Sequence, residues 1–175
     1  PFVQYREGPM PPKAQIETTY AILFSITNTT NRITGAKLTA TLPPYVRWLL
    51  QHAPASFNLY VDGKLVRNNQ FQSPPPGDPC HGAGSVRWSI GDIEPGTGIG
   101  GTEPLQAAIL IGFTPSASQI GQVPVLAQDI VLTGVDSATG KLIFCGSDTD
   151  QCSAKDITTN LQGDAGFNPA NSTVQ

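Results

Sequence analysis

Charge is scarce in this chain. Only 13% of its 175 residues are charged, with 10 Lys and Arg against 13 Asp and Glu and a formal net charge of -3. That balance gives no basic footprint for nucleic acid or an anionic membrane surface. No apolar run reaches the roughly 18 residues of a membrane helix, and no charged segment opens an apolar stretch as in a signal peptide. Catalytic parts are equally thin. The two histidines, His52 and His81, stand in loop-like contexts without a G-x-S-x-G element, so a nucleophilic triad lacks its members. The four glutamates, Glu7, Glu17, Glu94 and Glu103, lie near strand ends or turns, where solvated carboxylates are ordinary, rather than as a convergent pair. The run Gly96 to Gly101 has neither the lysine nor the following helix of a phosphate-binding loop. The composition therefore points away from an enzyme.

What the chain does have is alternation with a period of two, the mark of strands with one buried face. Tyr20, Ile22, Phe24 and Ile26 form one apolar row, and Ala36, Leu38, Ala40 and Leu42 another, with Lys37, Thr39 and Thr41 facing away. A turn over Asn28 to Asn31 joins them. Pro43-Pro44 ends pairing, and Val46 and Trp48 restart it. Phe57, Leu59 and Val61, the turn dipeptide Asp62-Gly63 and Leu65 predict a hairpin. Val86, Trp88 and Ile90 follow, and then Ala107 to Phe113, apolar on both faces and so expected to be a central strand covered on both sides. Ile130 and Leu132, and Leu142 and Phe144, flank the loop Asp136 to Gly140 as a second hairpin, with a weaker last strand over Ile157 to Leu161. No helical period competes. About seven to nine strands separated by turns predict an all-β, antiparallel immunoglobulin-like sandwich with Greek-key connections.

One domain is expected over residues 1–175. Residues 1–12 read as an extended, proline-bounded segment that needs a surface, either this domain's own sheet edge or a neighbouring copy, with the balance towards the neighbour. Residues 68–84 read as a long loop, and 163–175 as a loosely packed tail. A start at Pro1 implies a processed mature chain or a piece of a longer one.

Trp48 and Trp88 sit in phase with apolar neighbours and are expected to anchor the core. Tyr5, Tyr45 and Tyr60 fall out of phase or near an end and form the candidate binding patch, since exposed tyrosines can stack on sugars, although scattered aromatics are also ordinary surface. Cys145 and Cys152 bracket a short polar loop that a disulfide would staple by about 2 kcal/mol in an oxidising compartment. Three reduced thiols, or a bridge from Cys80 to either partner, are the alternatives. Cys80 and His81 are adjacent rather than at zinc-ligand spacing. Asp148, Asp150 and Asp156 give the only hint of calcium, without the glycine and closing glutamate of a complete loop, so exposed turn aspartates are the simpler reading and no cofactor is expected. Asn28 and Asn171 begin N-x-[ST] sequons and are the glycosylation candidates.

The segments N-T-T-N-R-I-T-G-A-K-L-T-A-T-L-P-P-Y-V-R-W from Asn28 to Trp48, V-R-W-S-I-G-D-I-E-P-G-T-G from Val86 to Gly98 and I-V-L-T-G-V-D-S-A-T-G from Ile130 to Gly140 resemble the Ig-like conserved-repeat domains of bacterial cell-surface proteins. The likeness spans roughly residues 20 to 160. It implies a sandwich used as a spacer or building block of an extracellular surface protein or filament, often in tandem, with neighbouring copies as partners and no active site. The alternative, from another class, is an adhesion module for surface glycans or proteins.

Overall fold

A computed structural model of the chain describes residues 2–52, 58–61, 64–66, 84–146, 155–161 and 169–175. The alternating rows become strands: β1 (Phe2–Glu7), β2 (Thr18–Ile26), β3 (Ile33–Thr41), β4 (Val46–His52), β5 (Asn58–Val61), β6 (Lys64–Val66), β7 (Ser85–Ile93), β8 (Leu105–Phe113), β9 (Val125–Asp136), β10 (Leu142–Cys145) and β11 (Ile157–Thr158). Helical structure among the described residues is confined to two short 3-10 turns, Ala117–Gln119 and Pro169–Asn171.

Two antiparallel sheets result. The first runs β1-β2-β8-β4 and the second β10-β9-β3-β7-β5-β6, with β11 also pairing to β9. With β1, β2, β3, β4, β8, β9 and β10 lettered A to G, the first sheet is A-B-E-D and the second contains G-F-C, the immunoglobulin arrangement. Strands β5, β6 and β7 are an excursion between D and E that widens the second sheet beyond C. The expected hairpins are both present, β5 with β6 and β9 with β10. The turn after β2, by contrast, carries the chain from one sheet to the other.

The core lies between the inward rows. Tyr20, Ile22, Phe24 and Ile26 on β2 and Ala107, Ile109, Ile111 and Phe113 on β8 face Ala36, Leu38 and Ala40 on β3 and Val86, Trp88 and Ile90 on β7, all buried. Tyr20 and Phe113 pack with ring centroids 6.4 Å apart. Trp88 is fully enclosed, whereas Trp48 on edge strand β4 is half-buried against the same core. Burial, with the phenol of Tyr5 nearby, pushes the Tyr20 hydroxyl far up in pKa, and that hydroxyl has no hydrogen-bond partner among the described residues.

Several expectations need correction. Residues 1–12 do not wait for a neighbouring copy. Phe2–Glu7 pairs with β2 from Phe2↔Leu23 to Glu7↔Thr19, and Val3 is buried in the core. A segment with too little apolar content to fold alone is ordered by the free edge of its own sheet. Of the tail expected to be loose, residues 163–168 lie outside the described residues, and 169–175 are held in place. Over residues 169–175, Val174 is buried, its N–H donates to Gln122, and Gln175 exchanges hydrogen bonds with Pro12 and Ala14. Polar composition hid this, because the stitching is largely by backbone, joined by the Thr159 hydroxyl donating to Ser172. Finally, β8 is an interior strand, but its outward Ala108 and Leu110 stay half-exposed, since the described sheets make only two layers. Those residues pack sideways against Ala21 and Leu23 of β2, their neighbours in register. The loop expected at 68–84 lies outside the described residues apart from Gly84, whose carbonyl accepts from Leu42.

Replacing Trp88 by alanine removes the largest enclosed side chain and is expected to cost about 3–5 kcal/mol in chemical denaturation, and more than Trp48→Ala. Tyr20→Phe keeps the ring and deletes only an unpartnered hydroxyl, so it is expected to cost under about 1 kcal/mol. Equal losses for the two tryptophan variants contradict the burial assignment.

Candidate functional site

The polar side chains with the most contacts gather at one pole of the sandwich, where β2 crosses to β3 and β7 to β8. An asparagine at Asn28 follows directly from the sequence's need for a turn, but its role is long-range. Its Nδ2 donates to the carbonyl of Asn31 at 2.7 Å and to those of Ile93 and Glu94 at 3.2 Å each, and its backbone N–H donates to Thr97 at 2.9 Å. Two crossovers from opposite sheets are thereby held by one residue. Thr97 in turn bonds the Glu94 carbonyl through its hydroxyl at 2.7 Å. Gly98 passes so close to Thr27, with φ +74°, that a side chain there would collide with it.

The β9–β10 turn joins the same pole. Asp136 accepts from Asn31 Nδ2 at 2.8 Å and from the backbone N–H groups of Ala138 and Thr139, and Ser137 N–H reaches Arg32. These donors, Asn31 first, hold the Asp136 carboxyl below the usual carboxylate range. Arg32 pairs with Asp92 at 2.6 Å and with Glu94 at 3.2 Å, all at the surface. The chemistry available here is turn-fixing: acceptors and donors face one another rather than a cleft.

A second ion pair crosses the outer face of the first sheet. Arg47 on β4 reaches over Gly112 of β8 to grip Glu17 with two nitrogens, the Nη2 contact being 2.7 Å. A Cβ on Gly112 would strike the Glu17 carboxylate, so glycine in this strand makes the fork possible. The hydrogen bonds that Arg47 donates to Glu17 are the main cause raising the guanidinium pKa, against a smaller opposing effect of burial.

Among the described candidate residues, Tyr5 and Tyr45 stand at the two edge strands of the first sheet. Tyr5 is half-buried on the core, and its hydroxyl donates to Gly8 at 2.7 Å. Tyr45 packs edge-on against Phe113 at 5.8 Å, and burial raises its pKa against a backbone hydrogen bond with Val125. Tyr60 belongs to β5 in the other sheet, and its side chain lies outside the described residues. Asn28 is corrected: the nitrogen a glycan would use is buried and bonded to carbonyls, so the folded chain offers no acceptor there. Asn171 is half-buried in a 3-10 turn, followed by the buried Ser172. Asp156 is exposed just before β11, while Asp148, Asp150, Cys80, His81 and Cys152 lie outside the described residues. Cys145 ends β10 and is buried.

Asp136 generates a pH prediction. Its folded pKa is depressed, so its contribution is present above the unfolded value of about 3.9 and lost as pH falls through the lower folded value. The melting temperature is expected to drop on acidification below about pH 4. Asp136→Asn is expected to lower the neutral-pH melting temperature and flatten that dependence. An unchanged acid slope in the variant contradicts the assignment.

No family model matches this chain, and no curated protein matches it. Among solved structures, an uncharacterized protein from Nocardia farcinica, described as having an immunoglobulin-like fold, aligns over 89% of this chain and 94% of its own at 16% identity and a TM-score of 0.37. The full-length major pilin SpaD from Corynebacterium diphtheriae aligns over 89% of this chain and 33% of its own at 8% identity and a TM-score of 0.35. The fold assignment rests on the sheet order above, not on these distant likenesses.

Proposed function

We propose that this chain is a non-catalytic building block of an extracellular surface protein or filament, strung end to end with neighbouring copies or similar domains. One observation carries the reading: the chain passes through Phe2 and Gln175 at opposite ends of the first sheet. Phe2 pairs with Leu23, whereas Gln175 is bonded to Pro12 and Ala14, next to Gln15, which bonds Pro115 just beyond the Thr18↔Phe113 end of the ladder. Leu23 and Thr18 are five residues apart on β2, about 17 Å along the strand. Tension between the two ends runs along β1 and shears its ladder with β2, so many hydrogen bonds are loaded together rather than one at a time. That geometry suits a spacer.

The polar clusters support the same reading, because their donors and acceptors fix turns. An adhesive role has less behind it, since Tyr5 and Tyr45 are engaged in packing. An oxidising exterior belongs to the proposal. The bridge from Cys145, buried at the end of β10, to Cys152 belongs to it as well, with Cys80 as the rival partner for non-reducing peptide mapping to test.

Four copies joined in tandem and stretched one molecule at a time are expected to give four equal, mechanically resistant unfolding events. Small-angle scattering of the unstretched tandem is expected to show a length growing in proportion to copy number. Unfolding at forces typical of strands unzipped from one end, or a compact tandem, contradicts the spacer role.

A further inference from the structure

A sheet edge exposes a row of backbone donors and acceptors, and chains usually guard it with charge, bulges or brevity. Among the described strands, β11 is only a two-residue edge beside β9, and three of the four longer edges are guarded. β1 carries Arg6 and Glu7 and a register break between Tyr5 and Glu7. β4 carries Arg47 and a break between Trp48 and Leu50, and β6 is three residues long and begins with Lys64. The fourth edge, β10, reads Leu-Ile-Phe-Cys, with no charge, and its register with β9 is unbroken. It also presents exposed apolar side chains. Leu142 is 70% exposed and Phe144 45%, and the cross-strand neighbour of Leu142, Val135, is 38% exposed.

We propose that β10 pairs with β10 of a second copy, antiparallel about a two-fold axis through Ile143. The sequence of the strand itself selects this occupant. Directly opposed residues in an antiparallel pair share a face. Centring on Ile143 therefore opposes Leu142 of each copy to Phe144 of the other on the outer face, and Ile143 to its own copy on the inner face. Every opposed pair within Leu142–Phe144 is then apolar. Lys141 of each copy falls opposite Cys145 of the other, at the far end of the contact from the second Lys141, so no like charges meet. The second sheets of the two copies become one continuous sheet. A contact between strands this short buries less than the about 1,200 Å² of a stable interface, so it is weak alone and effective where many copies are held close together. It rests on the building-block reading and adds lateral contact to it.

Sedimentation equilibrium and amide hydrogen exchange on the full chain, from micromolar to about millimolar concentration, test the pairing. The mass is expected to rise from 18.5 kDa towards twice that value, with protection growing at those amides of 142–145 that point away from β9 and not at β1, β4 or β6. The double variant Leu142→Lys, Phe144→Lys, changed only at exposed positions, is expected to remain monomeric with a melting temperature close to that of the parent chain. A monomer at millimolar concentration with constant exchange at 142–145 overturns the proposal, as does association that persists in the folded double variant. The exchange experiment needs no variant, so misfolding of the latter leaves the test intact. A negative result here leaves the mechanical test of the spacer role standing, since that test reads the β1–β2 ladder.

Discussion

The side-chain amide of Asn28 is the constraint on which the arrangement of the two sheets depends at the crossover pole. A sandwich must carry its chain between layers, and wherever it does so carbonyls leave the ladders and need donors from elsewhere. At this pole one buried nitrogen serves the carbonyls of Asn31, Ile93 and Glu94. Asn31 then passes the connection to Asp136, so the β2–β3 crossing, the end of β7 and the β9–β10 turn are referenced to one another. At the opposite pole the same problem is met largely by backbone, with Gln175, Pro12, Ala14, Gln122 and Val174 closing the described ends of the chain against the β8–β9 connection, and the buried Thr159 hydroxyl donating to the Ser172 carbonyl.

This difference explains what the sequence made legible. The inward rows of β2, β3, β7 and β8 were readable because burial on one face imposes a period of two that survives any change of topology. Trp88 was recognisable as a core residue for the same reason. Asn28 was not, because its two acceptors on and after β7 lie 65 and 66 residues away, and no local pattern announces them. The local pattern Asn-Thr-Thr pointed instead to a sequon. Backbone pairing was equally silent. Residues 2–7 and 169–175 are too short to carry a clear period of their own, yet a sheet edge and a set of carbonyls order them, with Val3 and Val174 as their buried anchors. Tyr5 and Tyr45 misled for a related reason: edge strands and crossovers bury half a ring at positions that fall outside a simple alternation.

The functional reading follows from where polar groups are directed. Arg32, Asp92, Glu94, Asn31 and Asp136 face one another across turns, and Glu17 and Arg47 face one another across Gly112. The apolar surface is distributed differently, with its strongest exposure on β10 rather than in a concave site.

The most direct test of the account is Asn28→Asp, which preserves shape while replacing the donor nitrogen by an acceptor oxygen. It leaves buried carbonyls facing oxygen, and a loss of at least about 2 kcal/mol in denaturation at neutral pH is predicted, together with faster amide exchange at Asn28, whose N–H bonds Thr97, and at Ser137, whose N–H bonds Arg32. A variant as stable as the parent, with unchanged exchange at those amides, would contradict the claim that this amide holds the crossovers together.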